Sequence, residues 1–204
     1  MSWWSCYDAE QVEEVIIRAL LPHLAPGATA VSHVTNSRSE TEGFAAAAAA
    51  ASVQWVDAPI DGAAQDTAEG RLVVLLGGPP AALDRVEPVL AAYGSPLLRL
   101  GDVGQATAFK LVNNALLAAN TQLAVAGTRL ARDQGIAEDV VLEALVRCTG
   151  GSAALRVIQL AGGIANFERL AAPYLHKDVA AFRADGRKLG IIDQVITNGP
   201  LDLT

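Results

Sequence analysis

Lys110 and Asn114 lie four residues apart in the stretch Gly101-Asp-Val-Gly104-Gln-Ala-Thr-Ala-Phe-Lys110-Leu-Val-Asn113-Asn114. On a helix, that spacing puts both side chains on one face. A lysine and an amide held on a rigid, mostly apolar helix suit proton transfer, the lysine as general acid/base and the amide as its orienting partner. The same pair also reads as a solvated helix face, because helical lysines are common. Two further segments carry candidate chemistry. In Asp57-Ala-Pro-Ile-Asp61-Gly62 a strand ends at a proline and a small-residue loop follows, the place where α/β sheets bind ligands. Its bland alternative is an ordinary strand exit. His176-Lys177-Asp178 opens a helix, where Lys177 either meets an anionic group or is simply solvated.

Other chemistries find little support. There is no G-x-G-x-x-G after a strand, no P-loop and no G-x-S-x-G elbow. His23, His33 and His176 stand far apart and without metal spacing, so no metal is expected.

The elements that must hold these residues fall into two textures. Up to about residue 103, short β-type runs alternate with helical stretches. Strands are expected at Trp3–Cys6, Ala28–Val34, Val53–Val56, Arg71–Leu76 and Pro96–Leu100. Asp8 is a good N-cap for a helix carrying Val12, Val15, Ile16, Ile17, Leu20 and Leu21 at amphipathic spacing. A second helix starts at Ser37 or Ser39 and a third covers Ala82–Ala92. This order implies a layered sheet with helices on its faces. From Gln105 on, the strand signal disappears. One helix is expected from about residue 104 to Gln134, roughly 45 Å long, and others over Ala137–Arg147, Ser152–Leu160 and Tyr174–Leu189. The expectation is an α/β domain over 1–103 and an all-α domain over 104–204, joined by the long helix.

The bulk numbers bound the function. The 204 residues are 51% apolar and 18% charged, with a net charge of −7. That charge argues against nucleic acid as a partner. Two cysteines make no disulfide framework. No signal peptide or membrane span is readable, so a cytoplasmic protein is expected.

Taken together, Asp57-Ala-Pro-Ile-Asp-Gly, Gly70-Arg-Leu-Val-Val-Leu-Leu-Gly77-Gly78, Gly101-x-x-Gly104 to Lys110-x-x-Asn113-Asn114, and Lys177-Asp178 resemble the ordered landmarks of the β-hydroxyacid dehydrogenase family. Members include 3-hydroxyisobutyrate dehydrogenase and, more distantly, 6-phosphogluconate dehydrogenase. The resemblance covers nearly the whole chain. It implies a Rossmann-like domain followed by an all-α domain, and reversible oxidation of a small 3-hydroxy acid by NAD or NADP. By resemblance, Lys110 exchanges a proton with the substrate hydroxyl and Asn114 holds the substrate. Asp61, Gly62 and Ala63 fall at the substrate-carboxylate loop. Thr35 lines the nicotinamide site, Lys177 reaches the cofactor, and Cys6 and Tyr7 pass near the dinucleotide. The family builds its dimer from the helical half, and Leu116, Leu117, Leu123 and Val125 offer apolar surface for that.

The chain also departs from the family. Set against the family's pattern, the sequence is expected to lack the opening glycine-rich βαβ unit, roughly 60 residues or about two βα units. The family's serine-glycine-glycine loop is here Asp61-Gly62-Ala63, and an aspartate repels a carboxylate. A neutral or cationic substrate group near Asp61 is therefore expected. Asp66, Arg71 and Ala106 also replace usual residues. Related imine reductases lack the lysine, whereas Lys110 is kept. Two functions stand side by side: an NAD(P)-dependent oxidoreductase, and a non-catalytic remnant that folds and oligomerises through its helical half. The choice between NAD and NADP is open, as is the substrate.

Overall fold

The computed structural model describes residues 6–62, 64–184, 186 and 188–203. The first part of the expected Trp3–Cys6 strand, and Ala63, lie outside them. The chain divides into two compact units, 1–111 and 112–204.

In the first unit, helix α1 (residues 9–23) is capped by Asp8, whose side chain accepts from Gln11 N. It widens to an i→i+5 pattern over Val12–Leu20 and tightens again at Leu21–His23. Strands β1 (Thr29–Ser32) and β2 (Gln54–Asp57) pair in parallel across α2 (Arg38–Ala50). Helix α2 begins with a complete capping box between Ser37 and Glu40.

After Pro59 the chain continues as a short strand, β3 (Ile60–Asp61), before α3 (Ala64–Ala68). Both β2 and β3 lie antiparallel to β4 (Leu72–Gly77), through Asp57↔Gly77, Ile60↔Val74 and Asp61↔Val73. Helix α4 (Pro80–Leu90) returns the chain so that β5 (Gly94–Gly101) pairs in parallel with β4. The sheet is thus mixed, with β4 flanked by β2 and β3 on one side and β5 on the other. Val74, Leu75 and Leu76 are buried, as expected of a strand covered on both faces. His33 Nδ1–H donates to the Ala58 carbonyl, and its Nε2 accepts from the Tyr93 hydroxyl at 2.7 Å. Burial holds the His33 pKa below its ordinary value, so the neutral ring suits this position.

Helix α5 (Gln105–Asp133) starts in the first unit and continues into the second. The rest of the second unit is α6 (Glu138–Arg147), α7 (Ala153–Leu160), α8 (Ile164–Ala184) and α9 (Ile191–Asn198). Its core gathers Val125, Leu142, Leu155, Ile158, Phe167 and Ile196, among others. Two expectations are corrected here. The helix expected at Tyr174–Leu189 begins ten residues earlier, at Ile164, and runs through Pro173. Phe167, Ala172, Leu175, Val179 and Phe182 are buried along it at helical spacing. That packing outweighs the hydrogen bond a proline removes. Val125 is fully buried and offers no surface, while Leu117 is partly buried against the same core.

Candidate active site

In the first unit, candidate residues gather on the start of α5. Asp57 ends β2 and is 1% exposed. Its carboxylate accepts from Gly104 N and Thr107 N, each at 2.9 Å. Those amides belong to the opening turn of α5, which would otherwise lack acceptors. Burial pushes the Asp57 pKa up, and the hydrogen bonds from Gly104 and Thr107 pull it partly back. Gly77 faces this carboxylate so closely that a Cβ there would collide with it. Asp57 therefore sets where α5 begins, and so where Lys110 stands one turn further on.

Lys110 is buried, not solvated. Its Nζ donates to Asp61 Oδ1 at 2.6 Å, with the lysine side chain 10% and the aspartate side chain 50% exposed. The structure thus brings two of the expected residues together. Gly62 follows with φ +136°, and a Cβ on it would come within 2.8 Å of Leu72 Cδ2. Packing alone accounts for glycine there.

Asn114, one turn along α5 from Lys110, is buried in the second unit. Its Nδ2 donates to Asp178 Oδ2 at 2.5 Å, and its Oδ1 accepts from Asn113 Nδ2. Asp178 is buried on α8, with the Lys177 ammonium 3.2 Å from its other oxygen. Lys177 is therefore placed beside Asn114 through Asp178.

Thr35 sits in the loop from β1 to α2. The next residue, Asn36, is buried with its Oδ1 unpaired among the described residues. An orphaned amide oxygen is an acceptor awaiting a donor. Cys6 and Tyr7 stand at the start of α1. Tyr7 N donates to Gln11 Oε1, and Cys6 packs against the core beneath α1 and α2. Desolvation, then the nearby Asp8 charge, raises the Cys6 pKa, which keeps its thiol in the protonated form.

Sequence reasoning passed over Asp57, Asp178 and Asn36 as functional positions. Asp178 and Asn36 each adjoin a chosen residue, and that adjacency was the available signal. Asp57 opens one of the candidate segments, but its role at the start of α5 was hidden because its partners lie 47 and 50 residues downstream.

Comparison with known proteins gives this arrangement its family. Residues 3–112 match the model for the NAD binding domain of 6-phosphogluconate dehydrogenase, more than half of the chain. The chain belongs to the β-hydroxyacid dehydrogenase family. It is 30% identical over 129 residues to 2-(hydroxymethyl)glutarate dehydrogenase of Eubacterium barkeri, covering 63% of this chain and 43% of that protein. It is also 30% identical over 138 residues to NAD-dependent L-serine dehydrogenase of Pseudomonas aeruginosa, covering 68% and 46%. The crystal structure of 3-hydroxyisobutyrate dehydrogenase from Salmonella typhimurium superposes with a TM-score of 0.83 at 25% identity, over 94% of this chain and 70% of that one. The chain spans about half the length of the curated relatives it matches. The family's cofactor is NAD or NADP, and the α/β unit followed by helices is its fold. Among the described residues, no helix is long and apolar enough to cross a membrane.

Proposed function

We propose that this chain carries the proton-transfer and nicotinamide-side residues of a cytoplasmic NAD(P)-dependent oxidoreductase acting on a small hydroxy compound. The observation that carries the proposal is Lys110, an ammonium buried on a rigid helix and reached from solvent beside a half-exposed carboxylate. NAD(P), when bound, supplies the hydride acceptor or donor. As the uncharged amine, Lys110 Nζ takes the proton from the substrate hydroxyl when the alcohol is oxidised; as the ammonium, it returns that proton in reduction. Asn114 directs an amide group at the substrate, and Asp178 fixes the orientation of that amide. Thr35 and Asn36 would hold the nicotinamide, whose carboxamide N–H matches the unpaired Asn36 Oδ1. Lys177 would face an anionic group of the cofactor.

The residues fit the nicotinamide end better than the pyrophosphate. The first turn of α2 already holds its own acid, Glu40, in the capping box, so that helix start is not free for a phosphate. Titration with NADH and NADPH, followed by cofactor fluorescence, tests the proposal. Saturation below ~100 μM supports it. No binding up to several millimolar favours the second reading, a non-catalytic chain that oligomerises.

One observation speaks for assembly under either reading. Phe109, Leu116, Leu123 and Leu130 recur every seventh residue along α5 and are 49%, 45%, 58% and 65% exposed. A heptad of large apolar side chains is the pattern of a helix that packs on another. The dimer is accordingly proposed along this stripe, with Phe109 and Leu130 in place of Leu117 and Val125. Sedimentation equilibrium should give twice the chain mass. Leu116→Glu combined with Leu123→Glu should bring it down to that of a single chain. A monomeric unmodified chain at high concentration would refute the dimer.

A further inference from the structure

The geometry points to Asp61 as the residue that sets the charge of the molecule admitted to Lys110, favouring an ammonium or neutral polar group and excluding a carboxylate. The inference rests on Lys110 as the proton-exchanging residue and names the substrate class for that same site. The two members of the pair are not equally placed. Lys110 is almost wholly covered, and Asp61 is half open to solvent. A molecule approaching the lysine therefore meets the carboxylate first.

Asp61 is also fixed at its backbone. It pairs with Val73 across the β3–β4 ladder, and Gly62 behind it has no room for a side chain beside Leu72. The side chain can turn, but the residue cannot retreat. A substrate carboxylate at Lys110 would place two negative groups on one ammonium in a partly desolvated site, where repulsion between like charges is several-fold stronger than in water. An ammonium or hydroxyl that meets the exposed carboxylate gains it as an acceptor, with the covered Lys110 ammonium behind it and farther off. The nearby Asp66 and Glu69 share Arg71, so this group keeps one net negative charge, which also disfavours a carboxylate. The substrate class is thus an amino alcohol or an uncharged polyol at the carbon where a 3-hydroxy acid carries its carboxylate.

Binding to the full chain, read by calorimetry without cofactor, tests this with two probes of equal length, 3-amino-1-propanol and 3-hydroxypropionate. The unmodified chain should bind the amine at least about tenfold more tightly. Asp61→Ser and Asp61→Asn both remove the carboxylate that faces Lys110, so each should reverse that order. Equal binding by the unmodified chain, an order unchanged in Asp61→Ser, or no binding of either probe at about 50 mM would each overturn the inference. Charge selection without turnover would keep this subsite and remove the hydride-transfer function. Turnover of 3-hydroxypropionate by the unmodified chain would do the opposite.

Discussion

Lys110→Ala is expected to lower kcat by about 10²–10⁴-fold, the usual contribution of a positioned acid/base. The prediction assumes the hydride-transfer function proposed above and tests the role of the lysine within it. KM should change little, because the lysine acts on the hydroxyl proton and other groups hold the rest of the substrate. The fold should tolerate the change. Asp61 is half exposed and water can replace the ammonium, so the lost ion pair is worth about 1 kcal/mol. Lys110→Arg makes the sharper control. It restores the charge and the contact with Asp61, but a guanidinium does not release a proton in the working range. Arginine should therefore recover melting temperature without recovering rate. Steady-state kinetics beside thermal melts separate the two effects. A Lys110→Ala enzyme within about threefold of the original kcat removes Lys110 from the chemistry.

How the lysine comes to be in position was only partly legible in the sequence. Helix α5 was readable almost to the residue, 104–134 expected and Gln105–Asp133 found, because its apolar spacing is long, proline-free and bounded by glycines. The strands were readable as apolar runs, but their directions were not. Nothing local in Asp57-Ala-Pro-Ile-Asp61 says that this segment pairs antiparallel with β4, since pairing is fixed by a partner many residues away. The site shows the same division. Lys110 and Asn114 follow from spacing on one helix. The ion pair that occupies Lys110 does not, because it joins residues 49 positions apart. Asp61 drew notice for its charge, yet its contact with Lys110 appears only once β3 and α5 are folded. At Pro173 a local rule failed outright, because a buried apolar face kept α8 continuous.

The largest stability effect should come from Asp57, a residue whose function is to start a helix. Asp57→Ala leaves the amides of Gly104 and Thr107 buried without an acceptor. Each such loss costs about 1–3 kcal/mol, so a total of about 2–6 kcal/mol is expected. For a unit of this size that lowers Tm by roughly 10–30 °C. The effect should reach the chemistry as well, since fraying of the first turn of α5 displaces Lys110 with its side chain intact. Asn in place of Asp keeps one acceptor oxygen but turns its amide donor toward the second N–H, so it should recover only part of the loss. The pH dependence carries a definite sign. Burial holds the folded Asp57 pKa above its ordinary carboxylate value, against the pull of its hydrogen bonds. Folding therefore favours the protonated acid. The stability gained from that shift is complete below the ordinary value and is lost as pH rises through the raised one. The difference in unfolding free energy between the original chain and Asp57→Ala should accordingly be greatest in acid and shrink toward neutrality. Other carboxylates titrate in both proteins and cancel in the difference. Denaturant unfolding at a series of pH values measures it directly. A difference that grows with pH would mean that the helix N-terminus outweighs desolvation and holds Asp57 as a carboxylate throughout.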